Sequence, residues 1–520
     1  MPIESLSEGL SSPVAAASPQ AAAENLHGVA NTPRSSSPSM PAMKIICPWS
    51  HETLIVATVV AFAALLAWIH LRHASIWYDE AITLLTSSGH AHVDWSLGRT
   101  QFTPTLDLRG ILVDLYRQDV HPPLYFWSLA IWRVVFGASI EVARSFSTLF
   151  VVATLVLLHR IGREVGVSAP WIPVAVYAAS SAGMWYAYDA RPYSMATFFI
   201  VLTQFLGRRK SRWTGFCAAA GFATHYFALL CIAPLLGMKC VQRWKTDFRW
   251  VIFTLLSFGL CSLPLLGLLR AHLDARPHQY PGFGLFPEEV WALIKGSLQG
   301  VMPYTWLVGW GIVLLVGAVF AAAGLRFAIK ESKWEVPVAY GIFLSSFLLL
   351  AVCTDKSIVK MPSAYYLGLA APWLALLIGY GVELLPRLRW LLAGCIVMGV
   401  IASRPIVNTI DYREMVARMQ AKCSHCPIVV GAGFVGAVPA CVLYESRGMP
   451  VFLLNSDDSV REIAQKVGVR GTIFFVPTNE PPTVKVEKDF LRQYWSSRKT
   501  GYFEVSLAQP YPLQEVHWLR

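Results

Sequence analysis

The sequence predicts a polytopic α-helical membrane protein that ends in a small extracytoplasmic α/β domain, and three observations carry that reading. Of 520 residues, 55% are hydrophobic and 14% charged, with a mean hydropathy of +0.48, which excludes an ordinary soluble composition. Apolar runs near or above the length that crosses hydrocarbon recur from residue 54 to about 404, separated by short basic loops. Beyond them the chain returns to mixed polarity and alternates like a strand-and-helix unit.

Residues 1–50 are rich in Ala, Ser and Pro without periodicity and read as a disordered cytoplasmic tail. The first apolar run starts too late, and lacks a small-residue cleavage site, for a signal peptide. Spans are expected near 54–72, 145–159, 169–187, 192–206, 247–268, 304–324, 335–353, 363–382 and 390–404. The basic loops HRIGRE, RRKSR, Lys239 with Arg243 and Lys245, Arg326 with Lys330, and Arg387 with Arg389 then face the cytoplasm. This distribution accounts for the net charge of +11 without a nucleic-acid site.

Two stretches break the pattern. Residues 121–138 (HPPLYFWSLAIWRVVFGA) are short, carry Arg133, and set Leu124, Trp127, Ile131 and Val135 at helical spacing. They read as an interfacial or re-entrant helix, so that 73–144 form one outer loop against the membrane. Residues 213–238 have basic residues on both sides and Thr224, His225 and Tyr226 in the middle, which suggests two short helices with a turn covered by protein or a water-filled cavity. The sum is about eleven membrane segments, with the amino terminus inside and the 405–520 domain outside. No internal repeat is visible.

On this topology the polar residues that solubility does not explain converge on the outer side. Asp79 and Glu80 open the outer loop in SIWYDEAITLL, His121 with Pro122 and Pro123 closes it, and YAYDARPYSM puts Asp189 and Arg191 at the next outer turn. Lys356 and Lys360 fall in a further outer loop. A carboxylate beside apolar walls can take a proton from an acceptor hydroxyl, and cations can hold a departing phosphate. Together they suit displacement at a sugar carbon with a lipid phosphate leaving.

Five segments in order, WYDEA, HPPLYFWSLAIWRVVFGASIEVARSFSTLF, YAYDARPYSM, THYFALL and SAYYLGLAAPWLALL, resemble the successive motifs of the C-type-fold polytopic glycosyltransferases. The resemblance is to bacterial relatives of the dolichyl-phosphate-mannose protein mannosyltransferases and to the aminoarabinose transferase of lipid A, over about residues 54–404. It implies a C-type fold for the 51–404 region and inverting transfer of a monosaccharide from a polyprenyl-phosphate donor on the outer face of a bacterial inner membrane. Asp79 matches the family's first-loop acid, the general base, with Glu80 beside it and Asp189 as the second acid. His121, Pro122, Arg191, Tyr193, His225, Tyr226, Lys360 and Tyr365 are the matching substrate-binding candidates. Ala364 stands where relatives often carry Arg, which moves a phosphate contact to Lys360 or removes it. The acceptor, whether protein, lipid or glycan, is not specified; no cofactor follows, and a divalent cation stays open.

Plainer readings stand beside these. Asp79 is also a favoured helix cap, Glu80 complements a helix dipole, and Pro122 with Pro123 starts a helix. Asp189 with Arg191 makes a turn ion pair, and His225 an interior hydrogen-bonded residue, on local grounds alone. In the tail, Gly431, Gly433 and Gly436, followed by Asp457 and Asp458, match a dinucleotide fingerprint only formally. Cys423 and Cys426 in CSHC read as a local disulfide or idle thiols before a redox or zinc pair. A transporter or flippase would place ionisable groups near the midplane and show symmetry between halves. A scaffold would leave the ordered outer charges unexplained.

Overall fold

The computed structural model describes residues 51–73, 75–89, 100–118, 121–274, 309–353, 364–402, 412–431, 437–446, 448–454, 473–476, 502–506 and 515–519. The amino-terminal tail, Lys356, Lys360, Gly433, Gly436, Asp457 and Asp458 lie outside them, as does the Tyr365 side chain.

Among the described residues, eleven α-helices precede residue 275: α1 (His51–His73), α2 (Tyr78–Thr86), α3 (Leu108–Gln118), α4 (Leu124–Phe136), α5 (Ile140–Glu164), α6 (Trp171–Ala179), α7 (Ser181–Tyr188), α8 (Tyr193–Arg208), α9 (Thr214–Thr224), α10 (Ala228–Arg243) and α11 (Phe248–Asp274). α12 (Gly309–Lys330), α13 (Glu335–Cys353), α14 (Ala364–Leu367), α15 (Ala371–Leu384) and α16 (Arg389–Ala402) follow. Three stretches among the described residues are long and apolar enough to cross a bilayer, His51–Leu71, Ile140–Glu164 and Phe248–His272; Gly368–Leu384 with Pro386–Val397, bent by 114°, makes a fourth if counted as one. The expected count of about eleven crossings is not established by them. One reason is local. The run expected at 169–187 is broken where Ser180 turns extended and caps α7, its hydroxyl accepting from the Gly183 N–H at 2.9 Å. The expected break at 225 is found, α9 ending at Thr224 and α10 starting at Ala228.

The helix surfaces agree with a lipid surround. Leu54, Phe62 and Leu65 on α1, and Leu256, Leu260 and Leu263 on α11, are exposed, an apolar cover that water would not tolerate over such an area. Between helices, small residues permit close approach. A Cβ on Gly324 would meet the Leu377 carbonyl oxygen at 1.8 Å, and one on Gly381 would meet that of Phe320 at 2.0 Å, so α12 and α15 touch backbone to backbone.

α4 is short, as expected, but its Arg133 does not reach outward to headgroups. The side chain is fully buried, donating to the Leu84 carbonyl at 2.8 Å and the Ser87 hydroxyl at 2.7 Å. Those acceptors end α2, where the helix dipole favours a cation. Burial, partly offset by the Tyr444 and Tyr125 hydroxyls, lowers the guanidinium pKa to about 10.

The carboxyl-terminal region holds α17 (Tyr412–Lys422), β1 (Ile428–Gly431), α18 (Ala437–Glu445), β2 (Val451–Leu454), β3 (Ile473–Val476), β4 (Tyr502–Ser506) and β5 (Glu515–Leu519). The sheet order is β2-β1-β3-β5-β4, parallel through β2, β1 and β3 and antiparallel at β5 and β4. β1 reads IVVG and is buried throughout, as a central parallel strand should be. This region shares one apolar core with α2 and α4: Met415, Val416 and Ile428 cluster with Ala81, Leu84, Phe126 and Leu129. The Ile140 N–H, opening α5, donates to the Tyr444 hydroxyl at 2.9 Å.

Candidate active site

The first turn of α2 separates the two adjacent acids. Trp77 is extended (φ −110°, ψ 168°) and Glu80, three residues on, reaches back to its N–H at 3.4 Å as half of a capping box. Helical geometry then turns Asp79 about 100° away from Glu80. Glu80 goes inward. Its carboxylate takes the Arg144 guanidinium at both oxygens (2.8 and 2.6 Å) and the Ala190 N–H at 3.0 Å, and the residue is 1% exposed. Arg144 also donates to the Leu71 and Ser75 carbonyls, each at 3.0 Å. One ion pair thus fastens the end of α1, the start of α2, α5 and the 189–191 turn.

Asp79 goes to the open side. Its side chain keeps 30% of its surface, against 6% for Arg191, whose Nη2 lies 3.8 Å from the Asp79 Oδ2. Arg191 is aimed by α2, since its Nη1 donates to the Thr83 hydroxyl at 3.0 Å. The same guanidinium stands 3.4 Å from His121 Nε2. His121 meets His225 edge to face at 5.4 Å between centroids, and His225 lies 5.2 Å from the Tyr193 ring. Asp79, His121, Arg191, Tyr193 and His225, scattered over the sequence, therefore form one contiguous group. Pro122 is buried just before α4, whose N-cap is Pro123.

The THY break supplies the group's far wall. His225 leaves α9 extended (φ −156°, ψ 127°), and its Nδ1 accepts the Phe227 N–H at 3.1 Å, so a neutral ring carries its proton on Nε2. Tyr226 lies against α11, its hydroxyl 3.3 Å from His272 Nδ1. His272 Nε2 donates to the Leu115 carbonyl at 2.9 Å, which leaves Nδ1 to accept from the tyrosine.

Asp189, unlike Asp79, faces inward. It is 2% exposed, one oxygen accepts the Trp77 indole N–H at 2.9 Å, and the other has no partner among the described residues. Burial, and next the Glu80 carboxylate, push it well above the usual carboxylate range, against the pull of the Trp77 N–H and Arg191. A neutral Asp189 leaves the Arg191 charge to Asp79 and to any anionic ligand. Because the folded-state pKa is the raised one, this group's contribution to stability is full below the ordinary value of about 3.9 and is lost as pH rises through the raised value. Asp189→Asn imitates the neutral form and keeps an acceptor for Trp77. Melting midpoints followed from about pH 5 to 9 should fall more steeply in the wild type than in this variant; parallel curves would mean that Asp189 is already ionised at the low end.

Sequence reasoning missed Arg144, Thr83, His272 and Tyr366. The Tyr366 ring packs 4.7 Å from Phe227 and 6.1 Å from Tyr193, so it joins the wall, whereas its neighbour Tyr365 was the candidate. In the tail, Cys423 and Cys426 are disulfide-bonded, and Gly431 ends β1. Among the described residues, the one group of three potential metal-ligand atoms within reach of one another is Cys423, His425 and Cys426, and its two sulfurs are joined in the disulfide.

No family model matches the chain, and no curated protein does. Solved structures do. ArnT from Cupriavidus metallidurans in the apo state superposes with a TM-score of 0.56 at 11% identity, over 90% of this chain and 98% of that one. The structure of ArnT from Cupriavidus metallidurans bound to undecaprenyl phosphate gives 0.55 at 12%, with the same coverage. At such identity the likeness is one of fold. The chain has the C-type glycosyltransferase fold, the one its motifs resemble.

Proposed function

We propose that the protein is an inverting glycosyltransferase that moves a monosaccharide from a polyprenyl-phosphate donor to an acceptor hydroxyl at the outer membrane face. The observation that carries the reading is the Asp79–Arg191 pair, one accessible carboxylate 3.8 Å from a buried, aimed guanidinium. The acceptor oxygen attacks the anomeric carbon and gives its proton to Asp79. The bond from that carbon to the phosphate oxygen breaks, and its electron pair leaves with the polyprenyl phosphate. Arg191 and His121 lie where they can stabilise that leaving charge, in a site lined by the Tyr193 and His225 rings, where low dielectric strengthens the interaction. The ArnT fold neighbour bound to undecaprenyl phosphate supports a lipid of this class. The carboxyl-terminal region, packed on the same outer-loop core as α2, is in place to select the acceptor.

The test is release of free polyprenyl phosphate by purified protein, over a panel of polyprenyl-phosphate monosaccharides with membrane extracts supplying acceptors. Consumption of one donor is expected, and it names the sugar. Failure of every donor with every extract would leave the transferase reading without support.

A further inference from the structure

The helices that bring Tyr193, His225, Tyr226 and His272 to one end of the bundle carry a second constellation at the other. α8 runs from Tyr193 to Arg208, about 24 Å at 1.5 Å per residue. α9 returns to His225, α10 leaves again, and α11 comes back to His272. The turns at 209–213 and 244–247 therefore lie together, away from Asp79.

These two turns are built into one surface. The Trp250 indole N–H donates to the Ser211 carbonyl at 3.1 Å, Arg243 donates to the Arg208 carbonyl at 3.1 Å, and Lys210 pairs with Asp247 at 3.3 Å. Beneath them, Arg208 and Lys239 share Glu335 (2.5 and 2.6 Å) while Arg209 takes Glu164 at 2.8 Å. Those pairings occupy Glu164, Asp247 and Glu335. Arg212, Lys245 and Arg249 are exposed, and among the described residues none of them has a carboxylate within ion-pair distance. Beside them stand Trp213 and Trp244, 54% and 50% exposed, with the Arg212 guanidinium 5.6 Å from the Trp213 ring centroid.

Unmatched cations interleaved with exposed indoles at the ends of apolar helices have the chemistry of a phosphate layer. Indoles settle at ester depth, and the cations meet phosphate oxygens. The 244–247 turn leads directly into one of the helices long and apolar enough to cross a bilayer. We propose that this double turn is a binding site for the headgroup of an anionic membrane phospholipid, held by Arg212, Lys245 and Arg249 with Trp213 and Trp244 alongside. Each such cation near an anionic surface is worth roughly fivefold in affinity, so three give a preference on the order of a hundredfold over a zwitterionic lipid. A bound headgroup would cross-link the α8–α9 and α10–α11 turns, at the far ends of the helices that carry the site.

The full chain, released from micelles containing equal amounts of phosphatidylglycerol and phosphatidylcholine, can be weighed by native mass spectrometry. Wild type should retain phosphatidylglycerol selectively. The triple variant Arg212→Gln, Lys245→Gln, Arg249→Gln should lose that preference while melting normally in zwitterionic detergent. Lys245→Glu alone serves as a second variant should the triple one fold poorly, and it should lower retention by more than the roughly fivefold expected of neutralising one cation. Equal retention of both lipids by wild type, or an unchanged preference in a well-folded triple variant, overturns the proposal. Displacement of the lipid by millimolar inorganic phosphate would overturn the lipid as the source of the anion.

Discussion

Asp79→Asn is expected to fold like the wild type and to lose polyprenyl-phosphate release by about 10²–10⁴-fold, the range general-base catalysis supplies. The amide has the size of the acid but cannot accept the acceptor's proton. Little in the fold rests on the charge. Asp79 is partly exposed, its ion pair with Arg191 is long at 3.8 Å, and its dipole contribution in the first turn of α2 is worth about 0.3–1 kcal/mol. Arg191 stays aimed because the Thr83 hydroxyl still accepts from it at 3.0 Å. The loss should therefore fall on kcat, with donor KM unchanged or lower, since a guanidinium without its carboxylate is a better phosphate ligand. Undiminished release from Asp79→Asn would falsify the base assignment. A rise in KM alone would move Asp79 from proton transfer to binding.

The sequence signalled this site where charge stands at the edge of apolar runs, because ionisable groups there are expensive and so conspicuous. Asp79, His121 and Arg191 each sit at such an edge, and the structure brings them together with His225. The broken helix at His225 was legible for a similar reason, a polar triplet inside an apolar stretch flanked by basic loops. Arg144 was not. It opens a run expected to begin crossing at 145, and its partner is 64 residues away, so no local spacing announces the pair. Tyr365 and Tyr366 show a finer limit, since adjacent helical residues differ by about 100° in direction. Packing against Phe227 and His225 puts the Tyr366 ring in the wall. His272 was hidden by length: the span expected to end at 268 continues to Asp274 as α11 and carries the histidine to the Tyr226 hydroxyl.

Glu80→Gln should show the reverse of Asp79→Asn, a protein that is much less stable but still transfers sugar. Removing one charge leaves the Arg144 guanidinium uncompensated in a place where both partners are about 1% exposed, which typically costs about 3–5 kcal/mol. That is a large share of the roughly 5–15 kcal/mol that holds a typical domain. The glutamine oxygen can still accept the Ala190 N–H, so the 189–191 turn and Arg191 keep their place in the molecules that remain folded. Per folded molecule, release should stay within about tenfold of wild type, against the 10²–10⁴ expected at Asp79. Removing both charges in Glu80→Leu with Arg144→Met should restore part of the stability, because no lone charge is then buried. The restoration will be incomplete: the Leu71 and Ser75 carbonyls lose the donors that Arg144 gives them at 3.0 Å. A double-mutant cycle on melting midpoints reads the coupling directly. If Glu80→Gln melts like wild type yet fails to release polyprenyl phosphate, Glu80 acts on substrate and its role as a fastener of α1, α2 and α5 is wrong. If it melts early and the survivors work, the two acids of WYDE have separate tasks, one holding the frame and one taking the proton.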